Sequence, residues 1–181
     1  MQRQRNCSSY RAALLLGVVA SVGCGGSGGN GGNENGDPGP PAQVAGDYDV
    51  TLRNVSNGCG FGDWEDGGTT TDIGMGLTQN ESAVEGRLQG LAGTLVALLI
   101  GTADFSGTVS GDHVELVAYS AYTSHVDACI QSLVVTMGGD VSGNVWSGEL
   151  EYTYVDNGAP DCEQLADCVS RQSFDAVRIS P

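Results

Sequence analysis

Trp146-Ser147-Gly148-Glu149-Leu150-Glu151-Tyr152-Thr153-Tyr154 alternates at every step. Trp, Gly, Leu, Tyr and Tyr share one parity; Ser, Glu, Glu and Thr share the other. A period of two is that of a β-strand with one face buried and one face wet. An α-helix would scatter these side chains around its circumference. The same rhythm runs outward in both directions from this segment. Towards the N-terminus, Leu133, Val135 and Met137 form one set, and Val114, Leu116 and Ala118 another, against Glu115 and Tyr119. Further sets are Phe105-Gly107-Val109, Val84-Gly86-Leu88, Ile73-Met75-Leu77 and Tyr48-Val50-Leu52. Towards the C-terminus, Ser173 to Ile179 makes an eighth, in which either Phe174 and Ala176 or Val177 and Ile179 face inward.

The segments between the sets differ in length. Short turns fall near 79–82, 110–112 and 142–144, where Gly-Asp and Gly-Asn tolerate positive φ. Long connections fall at about 56–70, 90–102, 122–130 and 155–171. Eight strands in a meander can close and remove their sheet edges. Alternate connections of a meander lie at the same end. The expected fold is therefore all-β, an eight-stranded antiparallel up-and-down barrel with its long loops at one end. Gly86, Gly107 and Gly148 at inward positions suit the tight curvature of a small barrel.

The barrel reading covers residues 45–181. Before it, Arg3, Arg5 and Arg11 precede an apolar run from Ala12 to Val22. That run is short of the roughly 20 residues a bilayer span needs, and it suits an export signal. Ser21-Val22-Gly23-Cys24 follows and resembles a bacterial lipobox, which implies a lipid on Cys24 and a signal over 1–23. Residues 24–44 then read as a linker. Gly25 to Pro41 holds no large apolar side chain to bury, so a flexible coil with a reach of roughly 20–25 Å is expected. By the same resemblance, Gly25 directs the chain to the outer membrane of a bacterial envelope.

Without residues 1–23 the chain carries four Arg and no Lys against 22 Asp and Glu, a net charge of −18. Nucleic-acid phosphates are excluded as partners, since no basic patch meets them. A cationic protein is a compatible partner.

Cys59, Cys129, Cys162 and Cys168 lie in or beside the long connections. An even count in an exported domain implies disulfides. A helical turn over 163–167, capped by Asp161, holds Cys162 and Cys168 about 9 Å apart along its axis, beyond bridging distance. Cys59 and Cys129 are then each expected to reach into the 162–168 loop. A local Cys162–Cys168 bridge, with Cys59–Cys129, stays open if that segment is not helical.

Ala45-Gly46-Asp47-Tyr48, Leu77-Thr78-Gln79 with Val84-Glu85-Gly86, and the two Val-Ser-Gly-Asp/Asn hairpins resemble the lipocalin-like small meander barrels carried on bacterial lipoproteins. Tyr48 stands where lipocalins carry Trp. The resemblance implies a barrel whose mouth binds small apolar molecules.

No catalytic set emerges, and no cofactor or metal is expected. His113 and His125 fall at opposite ends of the barrel. Asp63, Glu65, Asp66 and Asp72 lack the spacing of an Asp-x-Asp-x-Asp-Gly calcium loop. The candidate ligand-binding residues are Trp64, inside that acidic loop, and Trp146, Tyr152 and Tyr154 on one strand face. Leu91 to Ile100, the longest apolar run of the domain, is expected to continue the core or the fourth strand, or to cover a cavity. The expectation is a lipid-anchored, non-enzymatic envelope protein that binds a small apolar ligand, or a module for a cationic protein.

Overall fold

The computed structural model describes residues 39–162 and 168–181. Nine strands and one helix follow in chain order. They are β1 (Gly46–Asn57), β2 (Thr69–Asn80), β3 (Ala83–Leu88), α1 (Gly90–Ile100), β4 (Asp104–Ser110), β5 (His113–Tyr119), β6 (Ser124–Val126), β7 (Cys129–Ser142), β8 (Val145–Asp156) and β9 (Ser170–Ser180). Every pairing between them is antiparallel. The order β5-β4-β3-β2-β1-β9-β8-β7 is closed by β5 pairing with β7, so eight strands form a barrel. The three-residue β6 lies outside the ring as a short flap on β7.

The alternation in sequence sets the inside and the outside. Trp146 and Leu150 are buried on β8; Met75 and Leu77 on β2; Val114, Leu116 and Ala118 on β5. On β9 the choice falls to Phe174 and Ala176, whereas Val177 and Ile179 are exposed. Three tight connections, 81–82, 111–112 and 143–144, lie at one end, and the four long ones at the other. Between β7 and β8, Gly139 faces Gly148, and a Cβ on either would strike the neighbouring backbone.

The short-turn end is plugged. Trp146 packs edge-on against Phe174, centroids 4.7 Å apart, and against Tyr48 at 6.5 Å. Val44 is completely buried beneath them. The barrel domain thus starts earlier than the linker boundary expected from sequence. Ala42 to Val44 cross the short-turn end as a strap, because their amides find partners there. Ala42 N–H donates to the Gly111 carbonyl at 2.7 Å, and Val44 N–H to Gln79 Oε1 at 2.7 Å. The Tyr48 hydroxyl donates to the Val44 carbonyl at 2.8 Å and accepts from Arg178 Nε at 3.0 Å. The Arg178 guanidinium also lies over the Tyr48 ring and donates to the Gln43 carbonyl.

At the other end the two disulfides are Cys59–Cys168 and Cys129–Cys162. Both cross from a long loop into the segment before β9, as expected. The segment opens as a single 3-10 turn, Pro160–Cys162. The helical turn expected over 163–167 lies outside the described residues, as do the export signal, Cys24 and most of the linker.

Candidate functional site

Below the long loops the barrel is hollow. A cavity of about 560 Å³ opens at this end. Its walls are Val50, Leu52, Ile73, Met75, Phe105, Leu133, Val135, Met137 and Leu150, the inward residues of five strands. Every lining residue is aliphatic, aromatic, Met or Gly. The volume lies within the range of small-molecule sites.

Two pieces of chain frame the opening. One is α1, the run from Leu91 to Ile100, which is a helix and not a continuation of the fourth strand. Leu and Ala dominate it, both strong helix formers, and Val96 and Ile100 are its only β-branched apolar residues. Gly101, in the left-handed conformation at φ 80°, ends it with its N–H on the Ala97 carbonyl. Ala92, Val96, Leu99 and Ile100 face the cavity. Gly93 makes this fit possible, since a Cβ there would collide with the Leu88 carbonyl. At the start of the helix, Gln89 lies over side-chain-free Gly74 and Gly76 and donates to Asp47 Oδ1 at 2.9 Å. Hydrogen bonds from Gln89 and then Ser180 hold the Asp47 carboxyl below its ordinary value.

The other frame is the 58–68 loop, which carries Phe61 and Trp64 onto the rim. Asn57 clamps it: its Nδ2 donates to the Phe61 carbonyl and its Oδ1 accepts from the Phe61 N–H, both at 2.8 Å. The Cys59–Cys168 bridge ties the same loop to the approach to β9. Phe61, Trp64 and Tyr152 form an aromatic triangle with centroids 5.7–6.1 Å apart. Tyr152 stands at its base. Its hydroxyl donates to Gln172 Oε1, Gln172 Nε2 donates to Asn54 Oδ1 at 2.6 Å, and Asn54 Nδ2 donates to the Glu65 carbonyl at 2.9 Å. This chain of bonds joins the barrel interior to the loop. Burial pushes the Tyr152 hydroxyl up to about 12, so it stays a neutral donor.

The four aromatic candidates are therefore separated. Trp64 and Tyr152 line the cavity. Trp146 shares the strand face of Tyr152 but sits in the plug at the closed end, with its indole N–H buried and unpartnered among the described residues. Tyr154 lies across from Leu133, half-buried and outside the cavity wall. Strand alternation places all three of Trp146, Tyr152 and Tyr154 on one face; it does not tell depth along the barrel axis. Val96 and Leu99 belong to the apolar run expected to continue the core or cover a cavity, while Phe61, an aromatic three residues before Trp64, is a mouth residue that sequence reading does not single out.

The acidic residues and both histidines stand apart from the cavity wall. His113 contacts Asp140 at 2.7 Å beside the β4–β5 turn, while His125 lies on β6 at the mouth end. Asp63, Glu65, Asp66 and Asp72 are exposed, and among the described residues no three His, Cys, Asp or Glu converge as a metal cage. Trp64 Nε1, shielded from solvent, also has no hydrogen-bond partner among them. The chain matches no protein-family model, no curated protein and no solved structure.

Proposed function

We propose that this is a lipid-anchored protein of the bacterial envelope that holds a small apolar molecule in the mouth of a lipocalin-like barrel, without catalysing a reaction on it. One observation carries the reading: a cavity of about 560 Å³ with no charged residue in its wall. Filling such a space with an apolar ligand removes apolar surface of both partners from water, at roughly 25 cal/mol per Å². The interior below it is already packed, so the space is a feature of one end and not of loose packing throughout.

The anchor half of the reading rests on Cys24, the basic-then-apolar segment before it and the Gly-rich linker after it. Cys24→Ser should abolish incorporation of labelled palmitate and release the protein from outer-membrane fractions. If the label persists on the variant, the anchor is elsewhere or absent.

The cavity half is tested by titrating the protein with an environment-sensitive naphthylamine dye and by native mass spectrometry without detergent. Saturable binding near one dye per chain is expected. Val135→Trp, which fills the cavity from its wall, should weaken that binding at least about tenfold while costing about 1–3 kcal/mol in stability. Dye binding that survives Val135→Trp would place the site outside the barrel.

The exposed Asp63, Glu65 and Asp66 beside Trp64, on a chain whose residues 24–181 carry a net charge of −18, favour a second reading as a binding module for a cationic protein. Its association rate would fall steeply with salt. Association indifferent to salt would count against it.

A further inference from the structure

The charges around the mouth narrow the class of molecule the cavity can take. This rests on the cavity being a ligand site. Its wall holds no Arg or His, and the chain holds no Lys. The four Arg of the barrel domain are placed elsewhere. Arg87 is paired with Asp104 at 3.0 Å, Arg171 with Glu151 at 2.7 Å, and Arg178 is bound to the strap at the closed end. Arg53 is exposed on β1 with its guanidinium near Gly67 of the 58–68 loop, and it is not part of the cavity wall. The rim loop itself adds Asp63, Glu65 and Asp66, all solvent-facing.

A carboxylate or phosphate drawn into this space would lose its water and meet no cation. An unpaired buried anion is strongly disfavoured, and the acidic rim adds repulsion to it. Trp64 lines the cavity, but its Nε1, unpartnered among the described residues, is buried and neutral and offers an anion nothing in place of a cation. A hydroxyl, ester or amide oxygen loses far less on leaving water than a full charge does. A cationic head would instead stay at the rim among the carboxylates, with its tail inside. We propose that the cavity selects apolar molecules whose polar end is neutral or cationic, and rejects anionic amphiphiles such as fatty acids.

The experiment compares three probes of equal chain length: dodecanol, dodecyltrimethylammonium and dodecanoate. Each is titrated into the protein at pH 7 below its micelle concentration, by displacement of the naphthylamine dye. Dodecanol and dodecyltrimethylammonium are expected to bind at least about tenfold tighter than dodecanoate, a ratio set by the unpaired charge. Dodecanoate binding equal to or tighter than dodecanol overturns the inference. Failure of all three, with no dye to displace, overturns the cavity reading instead. Leu99→Lys gives a second arm, because Leu99 lines the mouth yet is 77% exposed, so the fold tolerates the change. The new base should raise the ratio of dodecanoate to dodecanol affinity about tenfold, whatever it does to the affinity of either alone. An unchanged ratio with the base in place overturns charge as the discriminator.

Discussion

The two ends of this barrel are built from the same alternating strands and do opposite things. At the short-turn end, Trp146, Tyr48, Phe174 and Val44 fill the interior, and the strap closes it from below. At the long-loop end, the inward residues are mostly Val, Leu, Ile and Met, which are too short to meet across the interior, and a cavity remains. The contrast is one of side-chain size at inward positions. It teaches that the plug carries stability, while the mouth is held open by covalent and hydrogen-bonded loops.

Truncating the plug should have the largest effect. Trp146→Ala is expected to cost about 3–5 kcal/mol in urea unfolding, since an aromatic of this size leaves a cavity its neighbours cannot close. If the cost is under about 1 kcal/mol, the closed end is not the stabilising core. Removing a loop staple comes next. Cys59→Ser with Cys168→Ser should cost about 2–4 kcal/mol. The Cys129–Cys162 bridge encloses a separation of 33 residues against 109, and its loss should cost about 1 kcal/mol less in the chain-entropy view.

Between these and the smallest effect lies a pH signature of the mouth. Tyr152 is raised to about 12 in the folded protein, above the 10.0 of a free tyrosine. Unfolded chain therefore loses this proton first, and stability is full below pH 10 and falls as pH climbs towards 12. The fall is at most about 2–3 kcal/mol. Tyr152→Phe should flatten it; a profile of unchanged slope would mean that other groups set the alkaline limit. Least affected should be Leu99→Ala, which removes an exposed side chain from the lid. A change within about 0.5 kcal/mol is expected, together with altered dye affinity. A large loss of stability there would make the lid part of the core and erase the distinction between the ends.

Much of this architecture is legible from residue order. The alternation on Trp146 to Tyr154 gives a strand, its face and its register, because inward and outward environments differ so sharply in polarity. Gly111 and Gly143, both at positive φ, locate two of the tight connections, since few other residues accept that backbone angle. Three things are not legible. Leu91 to Ile100 carries no polar face, so no period distinguishes a helix from a buried strand there, and only the flanking Gly90 and Gly101 mark its ends. Trp146 and Tyr152 look equivalent along one strand, because height in the barrel depends on the stagger between strands. Val44 looks like the end of a linker, since its burial depends on Tyr48 and Gln79 across the barrel floor.

The strap beneath the barrel sets where the domain bears mechanical load. Force applied to the chain at residue 42 would enter the closed end, through the Ala42–Gly111 and Val44–Gln79 bonds and the grip of Arg178 on Gln43. It would load the aromatic plug before the cavity and its disulfide-tied rim, so the mouth would keep its shape until the plug gave way.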